Sequence, residues 1–395
     1  MYFLILTGFL IIANFLFLKK KIAIINGNSK KIATFSSLPA HYSYCFVLWS
    51  IIFLILTIFL LGNLEFLSKV SILIIALIFF SFITIFLYKK GFNAKNHLEG
   101  FVKTLMLIAT LFGVVITILI TVSIVFEAIR FFKIVGFFDF ILGTKWNPQI
   151  AVRTDQAMAE SSFGMIPIFL GTLLITFIAM IFAAPLGLYG AIYLSQYTKK
   201  RVRDILKPIL EILAGIPTVV YGYFAAVVVA PFLKSFFSNF GIDIASESAL
   251  GAGFVMGIMI IPFILSLSED AISAVPTVLK DGALAMGSTK SEMIKKVVLV
   301  SAFPNIISAM LLAVSRAIGE TMIVVMAAGL VAKMTINPLD SVTTATVQIV
   351  TLLVGDQESG SPKTLAAFAL GLVLFVMTLI FNIIALITVK KFKAK

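Results

Sequence analysis

The residues best placed to do chemistry stand in one string, Ser315-Arg316-Ala317-Ile318-Gly319-Glu320-Thr321, inside an otherwise apolar stretch. Arg316 and Glu320 are four positions apart, a spacing that puts both on one helical face. An ionised group at membrane depth costs at least ~2.5–3.5 kcal/mol, so both should face a bundle interior and be paired. Asn305, Ser308, Ser315 and Gly319 recur on roughly the same side and extend the pair into a polar stripe. Two roles fit. The pair can lock the bundle as an internal ion pair. Alternatively the stripe, with Ser315 and Thr321 beside the charges, lines a passage in which Arg316 attracts an anion. Glu320 would then orient Arg316 and limit how tightly the anion is held, because conduction needs release.

A second constellation is Asp281-Gly282-Ala283-Leu284-Ala285-Met286-Gly287, followed by a basic amphipathic stretch ending Val297-Val298-Leu299 and then Pro304. Two short helical pieces with a glycine between them would make an elbow that protrudes from the membrane into a groove on a cytoplasmic partner. The competing reading is a basic helix lying on anionic lipid. Gly215-Ile216-Pro217-Thr218 puts a helix breaker in another apolar run, a packing kink or a break beside protein or a water-filled cavity, where freed backbone groups can be satisfied. Glu211, Glu269 and Asp270 fall at the ends of apolar runs and read as solvated interface charges.

Other chemistries lack their residues. No G-x-x-x-x-G-K-[ST] loop offers a phosphate cradle, and no H-E-x-x-H or cysteine pair offers metal ligands. With one cysteine (Cys45) and two histidines (His41, His97), neither a disulfide nor a metal site is expected, and no cofactor is expected on this chain. Energy for any work would come from a gradient or from another subunit.

The elements that position these residues are membrane spans. Of 395 residues, 61% are hydrophobic and 12% charged, which excludes a soluble enzyme, a disordered chain and a disulfide scaffold. Nine apolar stretches of a length to cross a ~30 Å hydrocarbon core lie near 2–18, 45–64, 70–88, 104–126, 166–194, 209–233, 250–268, 304–330 and 365–389. The expected fold class is an all-α, polytopic integral membrane protein. The net charge of +13 is a topology signal and calls for no nucleic acid: with the N-terminus outside and the C-terminus cytoplasmic, 22 of the 31 Lys and Arg fall in cytoplasmic segments. Residues 2–18 lack a basic segment before them and a small-residue cleavage site after them, so they read as an anchor helix. Residues 1–103 hold three spans nearly free of polar residues, a membrane extension for anchoring or packing; 104–395 hold six, with the intramembrane Pro, Gly and charges. In the outside loop 127–164, Phe131, Phe132, Phe137, Phe138 and Phe140 suggest an interfacial helix with its rings among the headgroups, or a docking surface. The outside segment 331–364 is polar and reads as loop.

Residues 104–395 resemble the permease subunits of phosphate ABC importers. Arg316-Ala317-Ile318-Gly319-Glu320-Thr321-Met322 is similar to their R-A-x-G-E-T signature, Leu213–Gly222 to their L-A-G-I-P-S-V-V-Y-G, and Trp146-Asn147-Pro148 to the PstC type. In the PstA type a proline follows the Gly-Glu-Thr string, where Met322 and Ile323 stand here. The loop at 278–304 resembles the EAA loop, keeping Ala283 and Gly287, with Asp281 for Glu, Gly282 for Ala and Val300 for Pro. The resemblance implies a six-helix permease core, about three extra helices before it, and a bacterial inner-membrane location. It implies inorganic phosphate as cargo, Arg316 and Glu320 in its path, and Asp281, Gly282, Ala283 and Gly287 coupling to an ATPase. The implied partners are a PstA-like permease, a PstB-like ATPase dimer that uses the ATP, and a PstS-like binding protein. The alternatives are a PstA-type subunit, a self-contained secondary anion transporter or channel, and a non-transporting scaffold.

Overall fold

The computed structural model describes residues 94–148, 162–354 and 360–393, with His41 and Tyr44. The spans expected at 2–18, 45–64 and 70–88 lie outside the described residues, as do parts of the segments 127–164 and 331–364. The chain divides into two units after Leu119, and the residues that carry chemistry all lie in the second, Ile120–Lys395. Helix α1 (Ala94–Ile134) runs unbroken through the expected domain boundary at 103.

The architecture is all-α; the strands among the described residues are one antiparallel pair, Trp146–Asn147 with Ser162–Phe163. The helices are α2 (Phe137–Leu142), α3 (Ile166–Ile192), α4 (Lys200–Ala214), α5 (Thr218–Phe224), α6 (Ala230–Ser238), α7 (Ala249–Ser273), α8 (Thr277–Ala285) and α9 (Lys290–Met293). After them come α10 (Leu299–Ile318), α11 (Met322–Ala327), α12 (Ala345–Leu353) and α13 (Pro362–Lys393). Wider, π-helical turns follow α3 and join α5 to α6 and α9 to α10. Among the described residues six rods are long and apolar enough to cross a membrane: Lys95–Ile134, Ile166–Tyr197, Thr218–Ser238, Ala249–Ser273, Lys290–Ile318 and Pro362–Lys391. They answer to the last six expected spans.

At the centre α3 and α7 pack on a glycine seam. A Cβ at Gly253 would come within 2.7 Å of Ile178 Cγ2, one at Gly187 within 2.7 Å of Ile264 Cγ2, and one at Gly257 within 3.0 Å of the Ala179 carbonyl. Lipid is as apolar as leucine, so spans associate through close packing, and small residues permit it. Ile175, Ile178, Ala179 and Ala183 meet Val255, Met256, Met259 and Ile260 along this seam, all buried.

Two expected spans end differently. The sequence places one span at 209–233, but Pro217 cannot donate a backbone hydrogen bond, and the chain breaks at Gly215–Pro217. Glu211 therefore rides on α4, an amphipathic helix, and the span starts at Thr218. The Tyr221 hydroxyl donates to the Leu213 carbonyl (3.1 Å), satisfying a group freed by the break. The span expected at 304–330 is helical only to Ile318 and resumes as the short α11.

The segments expected outside also differ from expectation. Phe131 and Phe140 are fully buried, packing edge-on with ring centroids 5.2 Å apart, and Phe163 closes on Phe131 at 5.5 Å. They form a second core with Ile168, Leu352, Leu365 and Leu370, so of the five phenylalanines only Phe137 and Phe138 remain exposed as headgroup anchors would be. The partner surface comes from α12, a helix with buried Ala345, Val347 and Leu352 inside the segment read as polar loop.

Candidate functional site

Arg316 sits in the last turn of α10, exposed, its guanidinium 5.5 Å from the centre of the Phe263 ring. Cation–π contact of this kind contributes ~0.5–2 kcal/mol, too little to replace a counter-charge. The expected pair with Glu320 does not form: among the described residues Arg316 has no hydrogen bond or ion pair. The reason is the helix end. Gly319 donates to the Ser315 carbonyl and closes α10, so Glu320 leaves the helical path and the four-residue spacing no longer puts the two on one face.

Glu320 does something else. Its Oε1 accepts from the backbone N–H of Met322 (3.1 Å) and of Ile323 (3.4 Å), the first donors of α11. Those amides have no partner within a helix, and a carboxylate also suits a helix N-terminus electrostatically. Glu320 is 9% exposed, and its own carbonyl accepts from the buried Thr346 hydroxyl at 2.8 Å. Thr346 contacts Thr344 (3.1 Å), and the neighbouring Ala345 N–H donates to Thr172 on α3 at 3.0 Å. A buried polar network, missed from sequence, thus fixes α11 from outside. Its outer arm is Gln348, which accepts from the Trp146 indole (2.9 Å) and donates to Thr343 (3.1 Å).

Of the other expected pathway residues, Ser315 reaches Asn382 on α13 at 3.4 Å, and Thr321 contacts the Gly319 carbonyl at 3.4 Å. Gly215 and Pro217 form the break before α5 rather than a bend within it. The helix that follows them, α5, lies against α11, where a Cβ on Gly222 would come within 3.0 Å of the Met322 carbonyl and 3.2 Å of Ile323 Cα.

The elbow has the expected form. The helix α8 carries Asp281, Gly282 and Ala283, and the chain turns at Gly287 (φ +86°), a left-handed conformation that favours glycine. Ser288 N–H donates to the Ala283 carbonyl at 3.2 Å. Thr289 and Glu292 then make a reciprocal capping box that starts α9. The Glu292 carboxylate accepts from the Thr289 backbone N–H (3.0 Å) and hydroxyl (2.9 Å), and Lys296 pairs with it at 3.5 Å. Asp281 and Gly282 are exposed, Ala283 packs on the root of the elbow, and Val278 (77%) and Met286 (88%) present bare apolar side chains.

Sequence reasoning missed one further site. Glu269, read as a solvated boundary charge, is fully buried. Arg203 and the Ser273 hydroxyl (2.7 Å) engage its Oε1, and Lys207 engages its Oε2 at 3.0 Å. Lys207 also pairs with Asp270 at 2.5 Å. That hydrogen bond to Asp270 raises the Lys207 ammonium above its ordinary value, against the opposing effect of burial. The cations lie more than sixty positions away on α4, so no local signal in the sequence marks the pairing. Among the described residues no cluster of His, Cys, Asp or Glu could hold a metal.

Residues 183–394 match the family described as binding-protein-dependent transport system inner membrane component. The chain is 34% identical over 243 residues to the probable ABC transporter permease protein YqgH of Bacillus subtilis, covering 62% of this chain and 74% of that protein. It is 32% identical over 263 residues to the phosphate transport system permease protein PstC of Xylella fastidiosa, covering 62% and 77%. A probable phosphate transport system permease protein PstC of Methanocaldococcus jannaschii is 29% identical over 257 residues, covering 61% and 80%.

Proposed function

The chain belongs to the binding-protein-dependent transport system inner membrane component family and is a multi-pass permease subunit of an ABC importer; we propose that its cargo is inorganic phosphate. As a permease of this kind it works with an ATPase and a binding protein. The observation that carries the phosphate reading is Arg316, an uncovered guanidinium on a membrane-crossing helix with no counter-charge among the described residues. An isolated cation at that depth needs an anion or a partner chain beside it. A planar guanidinium donates two parallel hydrogen bonds to an oxyanion. The likeness to relatives named as phosphate permeases supports phosphate among oxyanions.

In this reading the exposed edge of α10 with Arg316 faces a PstA-like second permease, and phosphate passes between the two from a PstS-like binding protein. Gly287 sets the turn that presents Asp281, Gly282 and Ala283, with Val278 and Met286, to a PstB-like ATPase dimer, which binds and hydrolyses the ATP. The elbow and the C-terminus are cytoplasmic in this reading, and with three expected spans before residue 104 the N-terminus is outside. Ser315 and Thr321 flank the passage, and Glu320 shapes it by holding α11.

Uptake of labelled phosphate into proteoliposomes holding the assembled complex tests this. Losing a hydrogen bond to a charged group costs ~1.5–3 kcal/mol, about 10- to 150-fold in apparent affinity, so Arg316→Ala should lose at least that much. Arg316→Lys, charged but without the fork, should fall between. Wild-type ATP-driven uptake by Arg316→Ala overturns the assigned role. Gradient-driven uptake without the ATPase would instead establish a secondary transporter.

A further inference from the structure

We propose that Glu269 is the strut by which the elbow and helix α4 move as one body, a positioning residue that carries the elbow's displacement to the Arg316 region. The inference rests on the importer reading above and adds the route within this chain.

Three observations build it. First, the elbow is rooted on the end of α7: Ile272 and Val275 pack with Met293, Ile294, Val298 and Ala302 in one buried cluster, which Ala283 joins from the elbow itself. Displacing the elbow therefore displaces the end of α7. Second, Glu269 stands on that end and is the one fully buried acid among the described residues, while its partners Arg203 and Lys207 keep 32% and 29% of their side-chain surface. Removing a carboxylate from water costs several kcal/mol, and a hydrophobic contact in its place is often as stable. What a buried, doubly engaged carboxylate adds is register: Arg203, Lys207 and Ser273 fix α4 to α7 at one angle and one height. The apolar side chains of α4, among them Ile205, Ile209 and Ile212, are exposed and give it little other hold on the bundle. Third, α4 leads through the Gly215–Pro217 break into α5, whose Gly222 lies against the backbone of α11. The amides at the start of α11 are those held by Glu320, four residues from Arg316. The route is a chain of packed and hydrogen-bonded elements with one flexible joint, and its proof is a coupling measurement.

The experiment uses the assembled transporter in lipid, with spin labels at Leu279→Cys on the elbow and Ile209→Cys on α4, in a Cys45→Ser background. The wild-type distance is expected to stay the same with and without ATP, and to change with ATP in Glu269→Gln. Phosphate taken up per ATP hydrolysed should fall 5- to 150-fold in Glu269→Gln, the usual range of coupling between sites. Lys207→Met, at the outer edge of the network, should shift both readouts the same way and stands in if Glu269→Gln does not fold. A wild-type distance that changes with ATP overturns the proposal, as does wild-type uptake per ATP in the variants. A wild-type complex that hydrolyses ATP without taking up phosphate refutes the phosphate reading, and the distance measurement still decides the strut.

Discussion

Glu320 separates two ideas about charges in this membrane domain. If its work is to partner Arg316, the carboxylate's charge matters, and Glu320→Gln should be nearly as harmful as Glu320→Ala. If its work is to hold α11, a single acceptor oxygen matters. The structure gives two accepted bonds, from Met322 N–H at 3.1 Å and Ile323 N–H at 3.4 Å. An orphaned buried donor costs ~1–3 kcal/mol, and lipid offers no replacement acceptor. Counting the longer bond at the low end, Glu320→Ala should destabilise by about 2–4 kcal/mol. Glu320→Gln keeps one carbonyl oxygen at the same reach and loses the charge's extra strength, so about 1 kcal/mol should suffice. Thermal unfolding of the purified subunit in detergent reads this directly. At ~2–4 °C per kcal/mol, the figure for about 150–250 residues and an upper bound for a longer chain, the alanine variant should melt a few degrees below the glutamine variant. Equal melting points for the two variants would refute the capping role, and wild-type stability in Glu320→Ala would refute it outright.

Other expectations follow from the same geometry. Gly222→Val would press against the Met322 carbonyl and Ile323 Cα; overpacking costs ~1–3 kcal/mol, so the melting point should drop and phosphate uptake with it. Trp146→Phe keeps the ring contact with Phe163 but leaves the Gln348 amide oxygen without its 2.9 Å donor, and about 1–3 kcal/mol should be lost in the same melting assay.

What the sequence could express was local. Apolar run length set the six rods, and Gly287 between two short helical patterns set the elbow. Glycine within an apolar run is common, so Gly319 gave no sign that α10 ends there. The signal for a restart is that Glu320 and Thr321, both suited to the start of a helix, stand directly before Met322. Glu269 was illegible for another reason: its partners Arg203 and Lys207 belong to a different helix, and only the tertiary fold brings a boundary charge under cover. The same holds for Phe131 and Phe140, whose burial depends on α12.

The glycine seam between α3 and α7 also bears on how the chain is made. The two rods of the seam are not consecutive, since the α5–α6 span lies between them, and Gly190, where a Cβ would come within 2.7 Å of Leu265 on α7, stands about sixty residues of synthesis before Gly253. At roughly 5–20 residues per second, α3 waits several seconds in the membrane with its seam unfilled before α7 emerges. During that interval its exposed backbone groove must rest on lipid, on the translocation machinery or on the newly inserted α5–α6 rod. Slowing synthesis between Gly190 and Gly253 would lengthen this exposure, making biogenesis, as well as final stability, sensitive to that stretch of the message.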